Sequence, residues 1–105
     1  MIFYELLELT DSDTTYELAG LGQLDCSHLN GKVISDCSEC EVAADKLGFS
    51  YSRDETDSNY PTGCYVLKRG NFRVYCNIHS IGAREDDSSP ICKVGGNFIL
   101  ESILS

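Results

Sequence analysis

Basic residues are scarce in this sequence. The chain of 105 residues has 8 lysines and arginines against 17 aspartates and glutamates, which gives a net charge of −9. Nucleic acids and anionic membrane surfaces are bound through basic patches, so this composition argues against both as partners. It favours solubility outside the cell, or a cationic partner.

The sequence also lacks a long apolar run. No stretch approaches the roughly 18 residues that a membrane-spanning helix needs, so we expect no membrane insertion. The opening residues, MIFYELLELTD, are interrupted by Glu5 and Glu8 and carry no basic region, which does not fit a signal peptide. If the protein is secreted, we therefore expect a mature form or an excised module.

Familiar catalytic motifs are missing. We find no Gly-x-Ser-x-Gly, no glycine-rich phosphate loop and no His-Glu-x-x-His. The two histidines, His28 and His79, are too few for most imidazole chemistry. The acidic runs at 54–57 and 85–87 could supply oxygen ligands for Ca²⁺, but neither has the spacing of a calcium loop, and we interpret both as solvated. We expect a protein that is not an enzyme and holds no cofactor or metal.

The six cysteines are the most informative residues. Cys37-x-x-Cys40 with Cys76-x-x-His79 has the local spacing of a zinc site, and Cys37 at a helix start has the position of a redox-active thiol. Either interpretation leaves other cysteines unused, and no parallel βαβ unit of the thioredoxin type is visible. A chain of this length buries only about two-thirds of its unfolded surface, so covalent reinforcement matters. We predict disulfides and an oxidising compartment, which could be extracellular, secretory, periplasmic or an organelle lumen; spacing alone does not choose the pairing.

The sequence pattern predicts a single domain, 1–105, with one helix among strands. Ser38 and Glu41 fit a capping box, apolar residues recur on one face, and Gly48 supplies a stop, which predicts a helix over about 38–47. Residues 82–90 are predicted to be a polar loop. Strands are predicted at 2–9, at 49–53, in a hairpin of 64–69 and 72–78 turning at Gly70-Asn71, and in two pieces broken by Gly95-Gly96. This order predicts an α+β fold, a small disulfide-rich domain with its helix packed on a mainly antiparallel sheet.

A helix with a core cysteine, followed by LGFSY and by a strand that opens GCYV, resembles the helix-and-hairpin centre of PAN/apple domains. A closer resemblance is to small cysteine-rich modules of predicted algal, protist and marine-invertebrate secreted or surface proteins. Their pattern is C, C-x-x-A-A-x-x-L-G, P-x-G-C-Y, V-Y-F-N and I-C-K. The matching residues are Cys26, Cys40–Ala44 with Leu47–Gly48, Pro61–Tyr65, Val74–Asn77 and Ile91–Lys93. The likeness covers a module at 26–93 and leaves apolar extensions at 1–20 and 94–105.

The resemblance also implies a disulfide pairing. Four cysteines match the pattern, whereas Cys37 does not, and Cys76 stands where the pattern has Phe. An extra pair is most simply an extra bridge, which implies Cys37–Cys76. That leaves Cys40–Cys64 and Cys26–Cys92 for the shared framework. PAN/apple resemblance further implies recognition of protein or carbohydrate outside the cell.

A candidate binding surface surrounds the predicted hairpin. Tyr60 lies beside Pro61 in a loop and Phe72 beside the hairpin turn, where each could stack on a sugar or fill a protein hot spot. The cations Lys68, Arg69 and Arg73 cluster in the same region and could engage an acidic partner.

We expect a non-enzymatic extracellular or lumenal binding module for a protein or glycan ligand. The alternative is a small structural or accessory subunit of a larger assembly in an oxidising lumen, including a membrane complex, docked through its apolar terminal segments. An inhibitor or toxin scaffold that presents the loop at 54–63 is a third interpretation.

Overall fold

The computed structural model describes residues 14–95, which form one α-helix and six strands joined by three disulfides. The helix, α1, is Cys37–Leu47, and a short 3-10 helix at Ser27–Leu29 lies before β2. The strands are β1 (Thr15–Leu18), β2 (Lys32–Val33), β3 (Ser50–Glu55), β4 (Gly63–Leu67), β5 (Arg73–Asn77) and β6 (Ser88–Val94). The predicted α+β class, with one helix packed on a mainly antiparallel sheet, is confirmed. Within these residues no helix is long and apolar enough to cross a membrane.

The strands form one sheet in the order β1-β6-β4-β5-β3, and β2 also pairs with β6. The predicted hairpin is β4 and β5, which pair antiparallel with Cys64 opposite Cys76. Its turn contains Gly70 at φ 56°, a conformation that glycine adopts without strain. The one parallel pair among the described strands is β3 with β5. Strand β3 ends beside Asn77 at the end of β5, and the chain crosses that end to enter β4 in the opposite direction. Strand β5 then returns between β4 and β3, so it runs parallel to β3.

Helix α1 begins one residue earlier than predicted, and its cap differs from the predicted one. Asp36 is the N-cap, and its carboxylate accepts a hydrogen bond from the backbone N–H of Ser38 at 2.9 Å. The capping box predicted at Ser38 and Glu41 is wrong because both positions already lie inside the helix. Gly48 ends the helix at φ 82°, as predicted.

Both faces of the sheet are covered. Helix α1 packs Cys40, Ala43 and Ala44 against one face, where all three are fully buried. That core is completed by Ile34, Cys64, Val66, Val74, Cys76 and Ile91. A smaller cluster contains Ala19, Cys26 and Cys92, with Leu29, Val33 and Val94 packed against it.

Strand β6 begins earlier than the sequence indicates. Ser88, Ser89 and Pro90 belong to this strand and are buried, so the polar loop predicted at 82–90 is too long. They pair with Leu67, Val66 and Tyr65 of β4, and this pairing buries small polar side chains that look solvent-exposed in the sequence. The strand predicted at 2–9 and any strand after Gly96 lie outside the described residues.

Candidate functional site

All six cysteines are bonded in pairs: Cys26–Cys92, Cys37–Cys76 and Cys40–Cys64. These are the pairs that the resemblance implies. Because the sulfurs of Cys37, Cys40 and Cys76 are used in disulfides, these residues do not form the zinc site that their spacing allows. Cys37 and Cys40 are not a redox pair with each other either, since each is bonded to a strand. Three disulfides indicate an oxidising environment.

The bridges fasten different elements to the sheet. Cys37 and Cys40 join the first turn of α1 to β5 and β4, with Cα–Cα distances of 5.5 and 5.4 Å. Cys26 joins the loop before β2 to Cys92 of β6, with a Cα–Cα distance of 5.7 Å. The sheet therefore carries a covalently attached helix and a covalently attached loop.

Tyrosine rings stack in a row, here called the tyrosine ladder, which consists of Tyr60, Tyr65 and Tyr75. The ring centroids of Tyr60 and Tyr65 are 5.5 Å apart, and those of Tyr65 and Tyr75 are 5.6 Å apart. The guanidinium of Arg53 lies 5.3 Å from the centre of the Tyr75 ring. Tyr65 is fully buried and donates a hydrogen bond to Glu55, and its pKa is raised, first by burial and then by this bond. The rings of the ladder are stacked, with interplanar angles of 8° and 22°.

This packing changes the interpretation of Tyr60. A sugar stacks on an open ring face, but one face of Tyr60 is covered by Tyr65 and the residue is half-buried. Arg69 is also engaged within the chain, because its guanidinium pairs with Glu85 and, at 2.8 Å, with Asp87. The hydrogen bond to Asp87 is the main reason that the pKa of Arg69 is raised. Two acids of the run predicted to be solvated are thus held in ion pairs.

The other members of the predicted surface lie around the hairpin turn. Phe72 is 45% exposed, and its ring centroid is 6.1 Å from that of Phe49, just after α1. Arg73 is exposed and lies opposite Leu67, whereas Lys68 is half-buried. The structure therefore leaves Phe72 and Arg73 exposed at the turn, while Tyr60 and Arg69 have partners within the molecule.

An apolar cleft that the sequence analysis missed lies between three loops. It has a volume of about 340 Å³, within the range of roughly 300–1,000 Å³ typical of small binding sites. Two of its apolar residues are exposed: Leu24 is 38% exposed and Ile81 is 74% exposed. The lining residues are Leu24, Asp25, Val33, Thr62, Ser80, Ile81 and Gly82.

The side chain of Asn77, which is 1% exposed, fixes the loops beside this cleft. Its Nδ2 donates to the carbonyl oxygens of Asp57, Tyr60 and Pro61 at 2.7, 3.1 and 3.0 Å. Its Oδ1 accepts from the backbone N–H groups of Asp57 and His79 at 3.0 and 3.2 Å. One buried amide thus satisfies five backbone groups and ties residues 57–61 to the start of the loop that carries Ile81.

Two further hydrogen bonds join the loop of Tyr60 and Thr62 to the loop of His79 and Ala83, which forms one wall of the cleft. The hydroxyl of Thr62 donates to the carbonyl of His79 at 2.9 Å, and the N–H of Ala83 donates to the carbonyl of Tyr60 at 3.0 Å. A Cβ on Gly82 would lie 2.5 Å from the Thr62 nitrogen, so only glycine allows this approach. On the opposite wall, Leu24 and Asp25 directly precede the bridged Cys26. The cleft is therefore preformed.

Asp25 is the one charged residue among the described residues that line the cleft. Its pKa is lowered, chiefly by the hydrogen bond from the backbone N–H of Ser27 and next by the Ser27 hydroxyl. The carboxylate therefore stays ionised at the rim. In the sequence, the only signals of this site are isolated apolar residues within polar loops, Leu24 in GQLDC and Ile81 in HSIGA.

No group of three or more His, Cys, Asp or Glu side chains within 14–95 converges in a way that could hold a metal ion. Comparison with known proteins supplies no further guide to the site, since no protein-family model, curated protein or solved structure matches this chain.

Proposed function

We propose that this chain is a non-enzymatic recognition module, secreted or held in an organelle or periplasmic lumen, that binds an extended segment of a partner protein in the apolar cleft. The observation that carries the proposal is the cleft itself: Leu24 and Ile81 present apolar side chains to solvent on a frame fixed by Asn77 and by Cys26–Cys92. A preformed apolar site binds without first ordering its own loops.

The ligand's chemistry follows from the lining residues. Leu24, Val33 and Ile81 favour an apolar side chain, and the ionised carboxylate of Asp25 favours a cation next to it. The net charge of −9 attracts basic segments in the same way. Protein is favoured over carbohydrate because the tyrosine ladder covers both faces of Tyr65 and one face of Tyr60 within the molecule.

A displayed library of random peptides, selected against the purified protein, tests the proposal. We expect enriched peptides to share an apolar residue adjacent to Lys or Arg. Burial of one such side chain contributes about 1.5–3 kcal/mol, so Ile81→Ser and Leu24→Ser should each weaken a selected peptide by about tenfold or more in calorimetric titration.

Val42→Ser is the matched control, since Val42 is an apolar residue 49% exposed on helix α1 and should leave the affinity unchanged. Equal weakening by all three variants, or failure to enrich any common motif, would contradict the proposal. Glycan-array binding that survives Ile81→Ser would replace it with carbohydrate recognition at another surface. The accessory-subunit alternative rests on the terminal segments, most of which lie outside the described residues.

A further inference from the structure

Two of the three disulfides are immediate neighbours and form a group of four cysteines, here called the cysteine quartet: Cys37, Cys40, Cys64 and Cys76. Cys37 and Cys40 are three residues apart on α1, and Cys64 and Cys76 are direct cross-strand partners on β4 and β5. The Sγ of Cys40 lies 3.6 Å from the carbonyl oxygen of Tyr75, the residue before Cys76. Each bridge is thus within reach of the other.

The same four residues satisfy a second pairing. Opposed residues of an antiparallel pair have Cα atoms about 4.5–5.5 Å apart, and the geometry of an α-helix places the Cα atoms of residues i and i+3 about 5 Å apart. Disulfides need Cα–Cα distances of about 4.4–6.8 Å. A pairing of Cys37 with Cys40 and of Cys64 with Cys76 therefore lies within small movements of the present backbone, as the existing bridges do at 5.5 and 5.4 Å.

Cys37 is the most exposed residue of the quartet. Cys37 is half-buried, whereas Cys40, Cys64 and Cys76 are each 0% exposed. Thiol–disulfide exchange begins when a thiolate reaches a disulfide sulfur, and access decides which sulfur is attacked. The third bridge, Cys26–Cys92, has both residues at 1% exposure or less and has no other cysteine beside it among residues 14–95.

We propose that the cysteine quartet is a thiol–disulfide exchange site, at which an external monothiol enters at Cys37, is released again, and thereby converts the helix-to-sheet bridges into bridges within the helix and within the hairpin. The external thiolate attacks the Cys37 sulfur, forms a mixed disulfide there and displaces the Cys76 thiolate. That thiolate attacks the sulfur of Cys64, which forms Cys64–Cys76 and displaces the Cys40 thiolate.

The last step returns the external thiol. The Cys40 thiolate attacks the Cys37 sulfur of the mixed disulfide and forms Cys37–Cys40. The external thiolate leaves in the same oxidation state in which it entered. Two disulfides are present before and after, so the reaction needs no net oxidant or reductant. The product leaves α1 without a covalent link to the sheet. Because the new bridges close shorter loops, they constrain the unfolded chain less, so the original pairing remains favoured and the exchanged form accumulates only as a minor fraction of the folded protein.

Tryptic mapping separates the two pairings cleanly. Cleavage after Lys and Arg places Cys37 and Cys40 in peptide 33–46, Cys64 in 54–68 and Cys76 in 74–84. The structure's pairing gives one assembly of all three peptides. The exchanged pairing gives 33–46 alone, lighter by two hydrogens than its reduced form, and 54–68 bonded to 74–84.

The experiment incubates the folded protein with sub-stoichiometric reduced glutathione under exclusion of oxygen, quenches with acid, blocks thiols and maps the digest. We expect the internally bridged 33–46 peptide to appear as a minor fraction at the expense of the three-peptide assembly, while the bridge from Cys26 to Cys92 stays intact as internal control. A double variant, Cys37→Ser with Cys76→Ser, should keep Cys40–Cys64 unchanged under the same treatment.

Absence of the internally bridged 33–46 peptide would overturn the proposal. So would peptide 33–46 carrying glutathione or blocked thiols without an internal bridge, since that shows opening without transfer. Earlier loss of Cys26–Cys92 would also overturn it, because entry would not be at Cys37. The first two outcomes do not bear on peptide binding at the apolar cleft, whereas loss of Cys26–Cys92 would also release the cleft wall that carries Leu24.

Discussion

Cys64 and Cys76 lie directly opposite each other on β4 and β5, and each is bonded to a different cysteine in the first turn of α1. The helix is therefore fixed to the sheet at two points. On the helix the two attached residues are three positions apart, which is nearly one turn, and on the sheet they are direct cross-strand partners. This double attachment sets how α1 lies on the sheet and accounts for the complete burial of Ala43 and Ala44.

Removal of one attachment should lower stability substantially. The bridge Cys37–Cys76 spans a sequence separation of 39, and in the chain-entropy model such a loop contributes roughly 4 kcal/mol. We expect the double variant Cys37→Ala with Cys76→Ala to lose roughly 2–4 kcal/mol of the free energy of unfolding, measured in urea. A loss below about 0.5 kcal/mol would mean that Cys40–Cys64 alone positions the helix.

Asn77→Ala should be more disruptive than its small change in volume indicates. It removes a buried amide that satisfies five backbone groups, and buried groups left unpaired cost about 1–3 kcal/mol each. We expect a loss of about 3 kcal/mol or more, with faster hydrogen exchange at the amides of Asp57 and His79. Asn59→Ala, at an exposed neighbouring position, should change stability by less than about 0.5 kcal/mol. Similar results for the two variants would contradict the role assigned to Asn77.

Gly63 should tolerate no side chain. Its φ is +89°, and a Cβ would lie 2.2 Å from Cγ1 of Val33 and 2.9 Å from the carbonyl oxygen of Ile34. We expect Gly63→Ala to lose about 3 kcal/mol or more, as judged by denaturant unfolding, because strain in the left-handed region adds to a clash with backbone. In Gly70→Ala the added Cβ meets no neighbouring atom, so only the strain of a left-handed backbone at φ +56° remains. We expect this variant to lose only about 1–2 kcal/mol of the free energy of unfolding.

Stability should decline at alkaline pH partly through Tyr16. Burial, followed by the hydrogen bond to Glu39 at 3.0 Å, raises the pKa of Tyr16 to about 12 in the fold. An unfolded tyrosine has a pKa of about 10, so the unfolded chain releases its proton first. The contribution of Tyr16 to the free energy of unfolding is complete below a pH of about 10 and is lost as the pH rises towards about 12.

Urea unfolding at a series of pH values checks this expectation. Tyr16→Phe cannot ionise, so its stability should fall less steeply than that of the parent chain above pH of about 10. Some slope should remain, since the pKa of Tyr51 is also raised, first by burial and then by its hydrogen bond to Asp54. Equal slopes for the two proteins would show that Tyr16 does not contribute.

The helix and the hairpin could be predicted from the sequence because their signals are local. Apolar spacing and Gly48 predicted the helix to within one residue of its start, and Gly70-Asn71 marked the turn between β4 and β5. The N-cap was misassigned because Asp36 lies two residues before Ser38, and both residue types cap helices well. The α+β class followed from these elements.

Features made by distant segments could not be predicted in this way. The burial of Ser88 and Ser89 depends on β4, and the ion pairs of Arg69 depend on Glu85 and Asp87. The cleft joins Leu24 to Ile81 across most of the module, and no local periodicity marks either residue. Tyr60 was predicted to be a surface residue because it lies beside Pro61 in a loop; the sequence did not indicate that its half-buried ring stacks on Tyr65.

The order of the strands has a consequence for the chain as it is synthesised. Every pairing among the described strands includes β5 or β6, which are the last two of those strands to be made. When the ribosome has released everything up to residue 72, β1, β2, β3 and β4 therefore have no partners among themselves. Strand β5 must then insert between β3 and β4, and β6 between β1 and β4. A nascent chain that stops before Arg73 has the helix and four of the described strands but none of the pairings described here, so the sheet of residues 14–95 assembles only after β5 and β6 have left the ribosome.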